Sequence, residues 1–181
     1  MNGGRLISCG SQTVGPYFRI GLEYLIERTP EIASDAPGTI TIEGRVLDRD
    51  GAPVNDALLE FWSATHTPAF QQSEFPERFR RVVTDEDGAF RVVIKRPAAV
   101  RTKDGRMQVP HMLVLVFARG LLRHVISRVY LEGEHANATD PVLLTVPADR
   151  RSTLIARRDG PDRFHWDVIL QGSNETVFFA W

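Results

Sequence analysis

Thr39-Ile40-Thr41-Ile42-Glu43-Gly44-Arg45-Val46, running into Asp48-Arg49-Asp50-Gly51, is the stretch on which the fold turns. Ile40, Ile42, Gly44 and Val46 alternate with Thr39, Thr41, Glu43 and Arg45. A period of two marks a strand with one buried face. The Asp/Gly run after it supplies turn chemistry, with Gly51 able to take positive φ.

The same grammar repeats outward. Asp56 to Ala64 is apolar on both faces around Leu58, Leu59, Phe61 and Trp62, which predicts a central strand. Arg81 to Thr84 predicts a short strand, Asp85-Glu86-Asp87-Gly88 a second turn, and Phe90, Val92 and Ile94 another alternating strand. Met112 to Ala118 is almost wholly apolar and is expected to be buried on both faces; Arg119-Gly120 marks a turn. His124, Ile126, Arg128 and Tyr130 then alternate with Val125, Ser127, Val129 and Leu131. Phe164, Trp166, Val168 and Leu170 predict one late strand, and Thr176 to Trp181 a last one. Thr65 to Arg80, with Pro68 and Pro76, and Pro97 to Val109 read as loops. Helical signal is scarce: a short helix at Ala148 to Ala156 and a turn or two at Tyr17 to Glu27.

Short strands separated by Gly and Asp turns predict an all-β, two-sheet sandwich. The organisation expected is an N-terminal arm over residues 1–36 and a β-sandwich domain over 37–181.

Composition narrows the function classes. The 22 Lys and Arg nearly balance the 23 Asp and Glu, which argues against nucleic acid or an anionic membrane as the main partner. The single cysteine, Cys9, excludes an intrachain disulfide and fits a reducing compartment. No basic stretch followed by an apolar run marks a signal peptide, and no apolar run approaches the roughly 20 residues a membrane helix needs. The expected location is the cytoplasm.

Among the five histidines (His66, His111, His124, His135, His165), no two share a compact metal-binding spacing. His111, after Pro110, reads as a packed or hydrogen-bonded residue. The acidic clusters at Asp48/Asp50 and Asp85/Glu86/Asp87 each flank a glycine and are explained as turns, without the spacing of a calcium loop. No nucleophile elbow, P-loop or dinucleotide fingerprint is present.

Several segments in order carry a more specific signal. These are Ser11-Gln12-Thr13-Val14-Gly15-Pro16-Tyr17, Ile42 to Asp48, Gly51-Ala52-Pro53-Val54, Ala57 to Trp62 and Thr84 to Phe90. Pro110-His111, Phe117-Ala118-Arg119-Gly120, Asp149-Arg150-Arg151, Leu154-Ile155-Ala156 and Glu175 to Phe179 complete the set. Taken together, the chain resembles the intradiol ring-cleavage dioxygenases, and within them the non-iron α chains that pair with an iron-binding β chain of the same fold.

That resemblance implies non-haem Fe(III), held in the β subunit by two tyrosines and two histidines and not by this chain. It implies protocatechuate and O2 as substrates and a higher-order αβ oligomer. Iron-binding members place both ligand tyrosines between the central-strand Trp and a His-x-His. Here Ser63 to Pro110 contains no tyrosine, and the histidine pair reads His111-Met112-Leu113. The resemblance therefore implies no metal ligand and no catalytic residue in this chain. It does imply a substrate-binding set: Thr13, Gly15, Pro16 and Tyr17 lining the β chain's pocket, and Arg119 near the substrate carboxylate. Two rival readings remain at this level. One is a transthyretin-like binding module. The other is a self-sufficient dioxygenase using His66, His111 and Glu74.

Overall fold

The computed structural model describes residues 10–27, 31–63, 78–102 and 104–180. Among them the chain forms one α-helix, α1 (Pro16–Glu27), and strands β1 (Thr39–Leu47), β2 (Leu58–Ser63), β3 (Phe79–Val83), β4 (Ala89–Lys95), β5 (Val100–Arg101) and β6 (Met107–Gln108). The remaining strands are β7 (His111–Phe117), β8 (Val125–Leu131), β9 (Ile155–Arg158), β10 (Arg163–His165) and β11 (Val168–Ile169).

Two layers face each other. In one, β1 pairs antiparallel with β4 and, along its other edge, parallel with β10 and then β11. In the other, β3, β2, β7 and β8 follow in antiparallel order. β9 joins the layers: Ile155 and Ala156 pair with β8, and Arg157 and Arg158 pair with β10. A strand that changes sheet along its length is how a sandwich turns a corner.

The core lies between the layers. Ile40, Ile42 and Val46 of β1 meet Phe61 of β2, Phe90, Val92 and Ile94 of β4, and Met112, Val114 and Val116 of β7. The period-two reading of β1 thus places its apolar face inward. Both acidic clusters are turns: Asp48 Oδ1 accepts the Asp50 and Ala52 amides at 2.9 and 2.8 Å, and Asp85 Oδ1 accepts those of Asp87 and Ala89 at 3.0 and 2.8 Å.

Several elements depart from the sequence expectation, each for a physical reason. The late strand expected across Phe164 to Leu170 is two strands, broken at Trp166-Asp167. Asp167 Oδ1 takes the Arg45 amide at 2.9 Å, a bond that a backbone carbonyl would otherwise accept. The break is possible because Gly44 has no side chain: a Cβ there would lie 1.8 Å from the Trp166 carbonyl oxygen. Gly44 is a position of close backbone approach.

β7 was expected to be buried on both faces, but only Met112, Val114 and Val116 are fully so; Leu113, Leu115 and Phe117 are half-buried. Conversely, β8 was expected to bury one face and is buried on both from Ser127 to Leu131. The 3-10 segments Leu143–Thr145 and Ala148–Leu154 cover its outer face, packing Leu143, Val146 and Leu154 around Tyr130. The second of these stands where a short helix was expected, and its chain passes into β9 at Ile155.

The last strand expected at Thr176 to Trp181 does not form a sheet ladder over residues 176–180; Trp181 lies outside the described residues. Two backbone bonds remain, from the Thr176 amide to the Ile169 carbonyl at 2.9 Å and from the Phe179 amide to the Ile126 carbonyl at 2.7 Å, and hydroxyls supply the rest. Thr176 Oγ1 accepts the Ile169 amide at 2.9 Å, Thr153 Oγ1 accepts that of Val177 at 3.2 Å, and Ser127 Oγ donates to the Val177 carbonyl at 2.8 Å. The loop expected over Pro97 to Val109 contains the small β5–β6 hairpin. The expected Thr65–Arg80 loop lies mostly outside the described residues.

The N-terminal arm carries α1, a 12-residue helix where a turn or two was expected. Pro16 opens it, where its missing N–H costs nothing and its fixed φ is already helical. Arg19 and Glu23 pair across one turn at 3.2 Å.

Candidate functional site

The arm and the turn between β7 and β8 form one edge of the molecule. The Thr13 hydroxyl accepts the Gly120 amide at 3.0 Å, and Ser11 Oγ accepts Arg123 Nε at 3.1 Å. Immediately after, the Phe18 ring packs on Phe117 with centroids 4.9 Å apart, and Phe117 in turn meets the His124 imidazole at 5.1 Å. Arg19 donates to the Asn55 carbonyl, tying α1 to the approach to β2. Gly15, at φ 66°, turns the arm into α1.

Arg119, next to the latch residue Gly120, points its Nε to within 3.1 Å of Asp56 Oδ2. That oxygen is inaccessible to solvent and makes no hydrogen bond, so the geometry at 3.1 Å is a Coulombic contact and not a directional bond. Arg119 keeps 64% of its side chain exposed. The guanidinium is thus positioned by a carboxylate yet open to an anion in solution.

Of the five residues singled out from the sequence, Thr13 and Arg119 come together through the latch at Gly120. Gly15 and Pro16 form the hinge into the helix. Tyr17 is 81% exposed and shares the outer face of α1 with Ile20 and Tyr24. Ser11 belongs to the arm motif without a role of its own there, and sequence reading did not find Asp56 or Arg123. Each acts across a long chain separation and has only ordinary turn composition around it.

A second site lies on the outer face of the β7–β8 ladder. Register sets His111 opposite Tyr130 and Leu113 opposite Arg128. His111, Leu113, Ile126 and Arg128 line an open cleft of about 260 Å³. Val109, Asp140 and Tyr130 brace it from behind. The buried Asp140 carboxylate accepts the Val109, Val142 and Leu143 amides and the Tyr130 hydroxyl, at 2.9, 2.9, 3.0 and 3.1 Å. His111 Nδ1 lies 2.7 Å from the Val109 carbonyl. A carbonyl only accepts, so Nδ1 carries the proton and Nε2 the lone pair.

Electrostatics oppose a metal there. Burial first, then the Arg128 charge, push the His111 pKa down, although the Val109 carbonyl and Asp140 favour its proton. Burial pushes the Tyr130 hydroxyl well above its ordinary range, so it is a neutral phenol and not a phenolate. Fe(III) prefers anionic oxygen donors. A lone imidazole beside a guanidinium and a protonated phenol does not fit it. Among the described residues no three His, Cys, Asp or Glu side chains converge on a common point. His66 and Glu74, the other members of the alternative triad, lie outside the described residues.

A β-rich sandwich of this kind is the fold shared with solved dioxygenases such as the catechol 1,2-dioxygenase of Acinetobacter sp. ADP1, at a TM-score of 0.58 and 20% identity over 77% of this chain and 54% of that one. The dioxygenase family model matches residues 14–172, and the chain belongs to this family, the intradiol dioxygenases. It is 41% identical to the protocatechuate 3,4-dioxygenase alpha chain of Burkholderia cepacia, over 93% of this chain and 95% of that one. It is 36% identical to the alpha chain of Pseudomonas putida, over 93% and 94%. The beta chain of Burkholderia cepacia is similar at 26% identity, over 76% of this chain and 66% of that one. Among solved structures, the dioxygenase domain of a dioxygenase–carbohydrate-binding fusion from Streptomyces sp. SirexAA-E shares the fold. Its TM-score is 0.61 at 22% identity, covering 96% of each chain. No helix among the described residues is long and apolar enough to cross a membrane.

Proposed function

We propose that this chain is the non-iron α subunit of a cytoplasmic protocatechuate 3,4-dioxygenase. In that reading Thr13, Gly15, Pro16, Tyr17 and Arg119 form one wall of a substrate pocket completed by a β chain that holds Fe(III). The αβ assembly inserts both atoms of O2 between the two hydroxyl-bearing carbons of protocatechuate, giving 3-carboxy-cis,cis-muconate. The observation that carries it is the Thr13–Gly120 latch. It holds the arm beside a solvent-open arginine, on an edge where the chain has no metal-binding set of its own among the described residues.

The roles follow from the chemistry of the side chains. Arg119 attracts and orients the substrate carboxylate. Gly15 lets backbone approach a ring closely, and Pro16 stiffens the entry to α1. Tyr17, with Ile20 and Tyr24, supplies apolar surface for the β chain to cover.

Iron per chain tests the proposal, measured by elemental analysis on the protein purified alone and co-expressed with a candidate β chain. The expected result is no iron alone and about one per αβ pair, with protocatechuate cleavage only in the assembly. Stoichiometric iron in the chain alone overturns it.

A further inference from the structure

The outer face of the β4–β1–β10 layer, on the far side of the sandwich from the His111 cleft, carries an open cleft of about 490 Å³. Strand alternation decides what lines it. Ile42 and Val46 of β1 and Phe90 and Val92 of β4 point into the core, so Glu43, Arg45, Ala89 and Arg91 face outward. Register sets Arg91 opposite Glu43 and Ala89 opposite Arg45. Arg45 and Arg91 are therefore diagonal neighbours, about 7–8 Å apart and within reach of one bound group. The β3–β4 turn brings Asp85 to the other side of Ala89. The Asp85 amide donates to the Ala89 carbonyl at 3.0 Å, and Asp85 Oδ1 accepts the Ala89 amide at 2.8 Å.

Most charges around this cleft are already partnered. Glu43 Oε1 accepts Arg91 Nε at 3.0 Å, and Glu43 Oε2 accepts Arg163 Nη2 at 3.1 Å. His165 Nε2 lies 3.1 Å from Asp167 Oδ1. Two charges differ. Among the described residues, the Arg45 guanidinium and Asp85 Oδ2 make no hydrogen bond or ion pair, with each other or with a third group. They stand on either side of Ala89, whose methyl group leaves the floor between them low. Two spacings of about 5 Å each separate their backbones. Arg91, with 56% of its side chain exposed, adds a second guanidinium in diagonal reach of Arg45. Opposite charges at the two ends of a short gap, with Val83 and Ala89 as aliphatic surface, match a small molecule that carries both signs close together.

We infer that this cleft is a binding site for a small zwitterion of the α-amino acid type. Its carboxylate lies on Arg45 and Arg91, its ammonium on Asp85, and its aliphatic side chain against Val83 and Ala89. A plain anion is repelled by Asp85, and a plain cation by the two guanidinium groups, so neither uses the whole lining. Binding there involves no bond making or breaking. The site is built from β1, β4 and the turn before β4, and depends neither on the arm nor on a partner chain.

Calorimetric titration of the full chain tests it with three probes. L-Leucine carries both charges, L-leucinamide lacks the carboxylate, and 4-methylpentanoate lacks the ammonium. L-Leucine is expected to bind at one site per chain, about tenfold or more tighter than either of the other two. Arg45→Gln should remove the difference between L-leucine and L-leucinamide. Asp85→Asn, which keeps an oxygen for the turn amides, should remove the difference between L-leucine and 4-methylpentanoate. The three probes decide the matter on the unaltered protein even if a variant fails to fold. No saturable binding, a singly charged probe that binds as tightly as L-leucine, or a folded variant that keeps the difference it should lose overturns the inference.

Discussion

The Thr13 hydroxyl and the Gly120 amide are hydrogen-bonded at 3.0 Å across 107 positions of sequence. This bond makes the arm part of the molecule's surface chemistry, because the residues on either side of it are those with open functional groups. Thr13→Val keeps the shape and removes the acceptor. Amide hydrogen exchange of residues 11–27 is expected to quicken, with little change at the core strands. Protection that stays the same in the arm would mean that the Phe18–Phe117 packing holds it without the latch.

Gly44 and Gly21 make opposite predictions from the same substitution. At Gly44 a methyl group meets the Trp166 carbonyl carbon and oxygen, both backbone atoms that cannot swing aside. Gly44→Ala should destabilise by about 3 kcal/mol or more. At Gly21, inside α1, nothing lies within 4 Å of the added carbon. Gly21→Ala should stabilise the helix by roughly 0.8–1 kcal/mol. Urea unfolding midpoints of the two variants should therefore move in opposite directions.

How far the chain could be read before folding depends on whether an element's partner is near in sequence. β1 and the two Asp/Gly turns were legible because alternation and turn chemistry are local. The break at Trp166-Asp167 was not, since its cause is Gly44, which fitted the alternating pattern and betrayed nothing of the carbonyl pressed against it. The C-terminal segment has strand composition, but it is held by two separate backbone bonds and by the hydroxyls of Ser127, Thr153 and Thr176 and not by a continuous ladder. The arm–turn edge was pointed to by the family motif, whereas Asp56 was not, because a carboxylate in a turn looks the same whether or not an arginine faces it. The Arg128 cleft could have been noticed: an arginine sharing a strand face with Ile126 and Tyr130 is an unusual charge in an apolar row.

His111 gives the protein a pH dependence of known sign. Burial lowers its folded-state pKa below the ordinary value of 6.5. As pH falls through 6.5, the unfolded chain takes up the proton while the folded one resists. Stability from this group is therefore full above 6.5, is lost as pH falls below it, and stops changing once the folded imidazole also protonates. The slope is at most about 1.4 kcal/mol per pH unit. His111→Asn, which retains a donor for the Val109 carbonyl, should show a smaller loss of stability between pH 7 and pH 5 than the parent. Equal losses would assign the acid sensitivity elsewhere.

Asp140 holds the cleft's rear wall by four hydrogen bonds, three from backbone amides. Asp140→Ala strands those buried donors and the Tyr130 hydroxyl together. The expected cost is about 3–5 kcal/mol, larger than for an ordinary surface carboxylate. Thermal unfolding measures it. A drop comparable to that of an exposed Asp-to-Ala change, such as Asp50→Ala, would show that water replaces the carboxylate readily.

Arg119 and Asp56 supply the sharpest test of how the arm edge works in the assembled enzyme. Asp56 Oδ2 holds the guanidinium at 3.1 Å and so competes with any incoming carboxylate. If Arg119 attracts the substrate in the ground state, Arg119→Ala raises KM more than it lowers kcat. Asp56→Asn removes the competitor and keeps the shape, so it should lower KM. The two changes then act in opposite directions on one parameter, an outcome that general loosening of the fold does not produce, since damage would raise KM in both. If Asp56→Asn raises KM together with Arg119→Ala, Asp56 does not compete with the substrate carboxylate for the guanidinium.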